Sequence, residues 1–135
     1  MEAILLQYAM QFVGLPYKWA GENPLEGYDC SGFVLELLRA SGVLSGKFDY
    51  TSAALHNKFL EKCEPTFGAL AFYGDPISHV GFCVNEHFML EAGGGNSFVK
   101  TKEDAAKMNA FIRLRPVMSR SDFRNCSMPN YPWRK

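Results

Sequence analysis

The segment Asp29-Cys30-Ser31-Gly32-Phe33-Val34 constrains this chain more than any other. Upstream of it, residues 16–29 hold Gly21, Pro24 and Gly27 with Tyr17, Trp19 and Tyr28 interleaved, which reads as a loop. Downstream, Cys30, Phe33, Val34 and Leu37 form the apolar stripe of a helix that runs to Ala40 and stops near Ser41-Gly42. Cys30 therefore stands where loop becomes helix. The first N–H groups of a helix have no intrahelical partner, and the positive end of the dipole lies there; both favour thiolate over thiol. Thiolate is the nucleophilic form, so the position suggests an activated cysteine.

The remaining pattern divides into helices first and strands after. Leu5, Tyr8, Ala9 and Phe12 give residues 2–13 a helical stripe that Gly14-Leu15-Pro16 ends, and residues 51–60 predict a shorter helix around Ala53, Ala54 and Leu55. Apolar runs over 69–73 and 79–84 predict strands, with His79 opening the second. Asn85-Glu86 reads as a hairpin turn into residues 87–92, and Gly93-Gly94-Gly95-Asn96 as a turn that lets a substrate backbone pass close by. That glycine run is not a phosphate loop, because no Lys-Ser/Thr follows it. Phe98-Val99 predicts a brief strand and residues 110–115 a last one, so the class is α+β. Residues 1–117 read as a single domain, and 118–135, polar and proline-containing, as an irregular extension.

Composition excludes several classes. A chain of 135 residues, 47% apolar and 14% aromatic, suits one packed domain. Fourteen basic residues balance fourteen acidic ones, so no overall field argues for nucleic acid or an anionic membrane. No apolar stretch reaches the roughly 18 residues of a membrane span, and the first residues lack the basic-then-apolar order of a secretory signal. The expectation is a protein cytoplasmic at synthesis that something else must carry outward. Cys30, Cys63, Cys83 and Cys126 are widely spaced without a C-x-x-C pair, which predicts free thiols and no zinc site; the last three read as structural.

These residues resemble the NlpC-type peptidoglycan peptidases, small papain-like cysteine enzymes. Pro16-Tyr17-Lys18-Trp19-Ala20-Gly21, Asp29-Cys30-Ser31-Gly32-Phe33-Val34, Pro65-Thr66-Phe67-Gly68-Ala69-Leu70-Ala71-Phe72 and Ser78-His79-Val80-Gly81-Phe82 follow the family's order and spacing, and Phe111-Ile112-Arg113-Leu114-Arg115-Pro116 is similar to its closing strand. The resemblance covers about residues 3–117. It departs at Ala20, where a glycine is usual, at Gly68-Ala69 in place of a Pro-Gly-Asp turn, and at Glu91, where the third polar residue of the site is usually His, Asn, Gln or Asp.

The resemblance implies a papain-like fold, N-terminal helices with the nucleophile at a helix start packed on an antiparallel strand meander. It implies Cys30 as nucleophile, His79 as general base and acid, and Glu91 as the group that orients the imidazole and raises its pKa. Tyr17 is implied to stabilise the oxyanion with the Cys30 N–H. Asp29 and Ser31 shape the turn and contact substrate, with Ser78 beside them, while Trp19 and Tyr28 wall the groove. His56 and His87 are read as surface residues. The implied reaction is amide hydrolysis through a thioester, without metal or cofactor, on the γ-D-glutamyl–diamino acid bond of cell-wall stem peptides. An amidase on the same fold and an inactive wall-binding or tail-structural module are the alternatives; an acyltransferase of permuted order is disfavoured because Cys30 precedes His79. The expected setting is phage tail or lysis machinery, intracellular recycling, or a toxin delivered by a secretion system.

Overall fold

Asp29 starts the helix around which the fold is built. In the computed structural model, which describes residues 1–23, 26–46 and 49–134, its backbone is extended and its carboxylate accepts the Gly32 N–H at 2.6 Å. That side-chain cap satisfies one of the free donors of helix α2 (Cys30–Ala40); α1 (Glu2–Met10) precedes it. Phe33, Val34, Leu37 and Leu38, spaced as one helical face, are fully buried, and Leu35 with them. The Phe33 ring meets those of Phe12, at 5.7 Å, and Tyr28, at 6.5 Å, which ties the end of the N-terminal helical segment to α2. Burying such a ring contributes about 2–3 kcal/mol.

A six-stranded antiparallel sheet receives α2. Its strands are β3 (Lys62–Cys63), β4 (Leu70–Tyr73), β5 (His79–Cys83), β6 (Phe88–Gly93), β7 (Phe111–Pro116) and β8 (Phe123–Ser127), in the spatial order β3-β8-β4-β5-β6-β7. Helix α2 lies against β5 and β6. Every residue of β4 and β5 is buried, so these strands read as continuous apolar runs rather than alternating ones. Helix α3 (Ser52–Lys58), capped by Thr51, also touches β5, while α4 (Lys102–Met108) precedes β7. This arrangement is the α+β class read from the sequence.

Four local expectations change. The loop over 16–29 contains a small hairpin, β1 (Glu22–Asn23) with β2 (Gly27–Tyr28); Pro24 lies outside the described residues. Phe98-Val99 is no strand: Phe98 is exposed, and the buried Val99 offers its carbonyl to the Trp19 N–H at 2.7 Å. Helix α4 has no counterpart in the sequence reading, although Thr101 and Asp104 form a reciprocal capping box and Asn109 ends it in the left-handed region. The extension 118–135 is not irregular throughout, since β8 enters the sheet between β3 and β4. Beyond β8, Tyr131 is buried, donates to the Gly68 carbonyl at 2.6 Å and stacks on Trp133, so it anchors the tail rather than forming an exposed patch.

Strand β8 also gathers three of the four cysteines. Cys63 pairs with Cys126 across the β3–β8 ladder, and Cys126 is also the neighbour that most strongly pushes up the Cys83 thiol. All four cysteines are free. Among the described residues, no group of three or more His, Cys, Asp or Glu converges as a metal site, and no helix is long and apolar enough to cross a membrane.

Candidate active site

Backbone packing sets the position of Cys30. Asp29 N–H donates to the Gly21 carbonyl at 3.1 Å, while the Tyr28 N–H and the Lys18 N–H tie the two sides of the preceding loop together. A Cβ on Gly32 would overlap that same Gly21 carbonyl, so glycine after Cys30-Ser31 is what lets the loop close on the first turn of α2. Ser31 Oγ donates weakly to Asp29 at 3.4 Å. The Asp29 carboxylate is half-buried and pushed up chiefly by loss of solvent, with the Gly32 N–H opposing it and the nearby Asp49 adding to the rise. Asp29 thus acts as the helix cap, and Ser31 as its neighbour in the turn.

His79 arrives from the sheet. The ladder that pairs Phe82 with Leu90 places Glu91 on the same face as His79, on the neighbouring strand, which is why a spacing of twelve brings them together. His79 Nε2–H donates to Glu91 Oε1 at 2.7 Å, which leaves Nδ1 to serve Cys30, a residue that lines the same cleft. The Tyr73 ring packs 5.5 Å from the imidazole and is itself fixed through its hydroxyl to the Val117 carbonyl at 2.8 Å. Burial pulls the His79 pKa down, but the hydrogen bonds and charges of Cys30 and Glu91 outweigh it and hold it up at about 9. The imidazolium is the stable form at neutral pH.

Glu91 is 1% exposed, so its charge needs compensation beyond the imidazole. Its Oε2 lies 3.5 Å from Arg113 Nε and 3.5 Å from Arg115 Nη1, both on β7, where Arg113 is the direct ladder partner of Glu91. Burial works to raise this carboxyl; His79 first, then Arg115 and Arg113, overcome it and leave it below the ordinary range. Gly93 completes the arrangement, since a Cβ there would strike Oε2. The two arginines are functional neighbours that the sequence reading did not single out. Their signal is two cations two residues apart on one strand face, and it is readable only once the register opposite Glu91 is known.

Tyr17 is buried beside this pair. Its phenol is pushed up first by burial and then by the charges of Cys30 and Asp29, which places the hydroxyl in their field. Gly95 lies flat on the Tyr17 ring, and a Cβ there would overlap it. Tyr28 is not a groove wall: it is fully buried and donates its hydroxyl to Glu36 at 3.2 Å. His56 is only partly exposed, edge-on to Phe72 at 4.9 Å, whereas His87 is exposed as read.

Two clefts meet at Cys30. Tyr17, Trp19, Cys30 and Ser78 line both, and Trp19 is 50% exposed between them. One cleft, of about 290 Å³, continues over Asp29, Ser31, Glu22 and Asp49. The other, of about 470 Å³, continues over His79, residues 92–97 and Arg120. The structure therefore brings Cys30, His79, Glu91, Tyr17, Asp29, Ser31, Trp19 and Ser78 together, and adds Asp49, Arg113, Arg115 and Arg120.

A cysteine at a helix start facing a histidine on an antiparallel sheet defines the papain-like class of site. The NlpC/P60 family profile matches residues 14–113, and the chain belongs to that family. It is 32% identical over 93 residues to the bifunctional muramidase/DL-endopeptidase CwlT of Bacillus subtilis, a match covering 65% of this chain and 28% of that protein. It is 28% identical over 92 residues to a gamma-D-glutamyl-L-lysine dipeptidyl-peptidase of Bacillus cereus, covering 65% of this chain and 27% of the relative. The chain thus spans about a quarter of the length of these relatives. Among solved structures it is similar to RipD of Mycobacterium tuberculosis, described as a non-catalytic NlpC/p60 domain protein adapted to peptidoglycan binding. That match has a TM-score of 0.68 at 18% identity and covers 93% of this chain and 95% of the other.

Proposed function

We propose that this domain is a cysteine peptidase that hydrolyses the γ-D-glutamyl–diamino acid bond of peptidoglycan stem peptides. The observation that carries the reading is Cys30 and His79 lining one cleft, with His79 hydrogen-bonded to the buried, ionised Glu91. A DL-endopeptidase and a gamma-D-glutamyl-L-lysine dipeptidyl-peptidase among the relatives support the choice of bond.

The chemistry follows from the geometry. Cys30 sulfur, as thiolate, attacks the scissile carbonyl, and the carbonyl π electrons move to oxygen. The Cys30 N–H, at the start of α2, and the Tyr17 hydroxyl hold that oxyanion. Collapse breaks the C–N bond, with the His79 Nδ1 proton passing to the leaving amine, and leaves a thioester on Cys30. His79, now neutral, takes a proton from water; hydroxide adds to the thioester, the C–S bond breaks, and acid and thiolate are released. Glu91 keeps the imidazole in one orientation and balances its charge throughout. The wall is the substrate, so this is where the domain acts.

The test is mass spectrometry of defined stem peptides and muropeptides after incubation with wild type and Cys30→Ala. Cleavage between D-Glu and the diamino acid, lost in the variant, is the expected result. Release of intact stem peptides would move the assignment to an amidase. Binding of muropeptides without any product would assign a wall-binding module, as described for RipD.

A further inference from the structure

We propose that Arg120 selects substrates carrying a carboxylate on the residue that leaves with the amine; this rests on the hydrolase reading above. The leaving nitrogen must take its proton from His79, so the leaving residue occupies the cleft that His79 lines, and the acyl residue occupies the other. The acyl-side cleft carries Glu22, Asp29 and Asp49. Among the described residues of the leaving-side cleft, the only charged side chain besides the reacting Cys30 and His79 is Arg120; the rest of that wall is residues 92–97 with Tyr17, Trp19 and Ser78. The two arms therefore have opposite charge preferences, with Cys30 between them.

Arg120 is held ready rather than left loose. Its Nε and Nη2 donate to the two Asp122 oxygens at 3.0 and 2.9 Å, and its guanidinium lies 5.2 Å over the Tyr73 ring that also backs His79. Those contacts fix the plane and leave the Nη1 edge with no hydrogen-bond partner among the described residues, on a side chain 33% exposed. A fixed guanidinium edge of this kind suits a carboxylate. Arg120 lies outside residues 14–113, the segment that the family profile matches. The carboxylate can be the α-carboxylate of a terminal diamino acid or the side-chain carboxylate of diaminopimelate.

The experiment compares kcat/KM for L-Ala-γ-D-Glu-L-Lys, the same peptide with a C-terminal amide, and the C-terminal amide of L-Ala-γ-D-Glu-meso-diaminopimelate. Wild type is expected to favour at least one carboxylate peptide over the lysine amide by about tenfold, the scale of a partly exposed charge-assisted hydrogen bond. The first and third peptides distinguish the two sources. Arg120→Gln should bring the ratio to near one, and Arg120→Lys should keep part of it. A wild-type ratio near one, or a ratio unmoved by Arg120→Gln, overturns the proposal. A purely structural Arg120 would lower all three rates together and leave the ratio alone. If wild type cleaves none of the peptides, the hydrolase reading fails by itself. The same ratio is then read as Kd by calorimetry on Cys30→Ala with and without Arg120→Gln, and an unchanged Kd ratio overturns the proposal there.

Discussion

His79 Nε2 stands 2.7 Å from Oε1 of Glu91, a carboxylate whose other oxygen is shared by Arg113 and Arg115. The pair sets a pH window. His79 is raised from 6.5 to about 9, so its contribution to stability is full below 6.5 and is lost as pH rises through 9. Glu91 is lowered from 4.5, so its contribution is present above 4.5 and is lost as pH falls through its folded value. Denaturant unfolding should find the wild type less stable at pH 9.5 than at 5.5, and Glu91→Gln should flatten that difference. The alkaline limb of kcat/KM, expected near 9 in the wild type, should move to lower pH in Glu91→Gln. An unmoved limb would show that Glu91 does not govern the imidazole.

Gly95→Ala tests the placement of Tyr17. The φ of Gly95 lies outside the left-handed region, so the added methyl acts through its overlap with the phenol ring. Overpacking of this kind costs about 1–3 kcal/mol. The expected outcome is a lower Tm together with a kcat/KM loss of about tenfold or more, from displacing one oxyanion donor. Activity at the wild-type level would remove Tyr17 from the mechanism.

Ala20→Gly should stabilise the fold. Ala20 sits at φ 58°, in the left-handed region, where a Cβ costs about 1–2 kcal/mol. Glycine gives back about 0.4–1 kcal/mol through the greater freedom of the unfolded chain. The difference leaves a gain of about 0.5–1 kcal/mol, read as a Tm rise of roughly 2–4 °C. A fall in Tm would mean that the Ala20 methyl makes a contact worth more than the strain.

Thiol labelling separates Cys30 from the other cysteines. Cys83 and Cys126 are buried, and the partly exposed Cys63 is pushed up by burial and by its neighbour Cys126. Cys30 lines both clefts and shares one of them with His79. Iodoacetamide at pH 6, followed by peptide mapping, should modify Cys30 first, and His79→Ala should slow that modification about tenfold or more. Faster labelling of Cys63 would contradict the pairing.

The parts of the protein readable in its sequence are those built from local signals. The break from loop to apolar stripe at Cys30 announces α2, although its cap, Asp29, shows only in the structure, and the hairpin at Asn85-Glu86 makes the spacing from His79 to Glu91 meaningful. What escaped depends on distant partners. Strand β8 reads Phe-Arg-Asn-Cys-Ser, polar enough to pass for surface, because its buried residues are Cys126 and Ser127 rather than aliphatic ones. Helix α4 buries only Ala105, so its caps announce an end without a stripe to confirm a helix. Arg113, Arg115 and Arg120 are ordinary surface cations until the register across β6 and β7, and the turn before β8, bring them to Glu91 and the cleft.

The position of β8 has a consequence for how the chain reaches this state. Cys126 pairs with Cys63 on one side and Ala71 on the other, partners more than fifty residues earlier in the chain. Until that segment docks, β3 and β4 have nothing between them, and β4 presents an unpaired edge. Loop closure over such separations makes docking a late and slow event. A slot of this kind accepts the same segment from a second molecule on equal terms, so concentrated refolding favours reciprocal exchange of β8 between two copies.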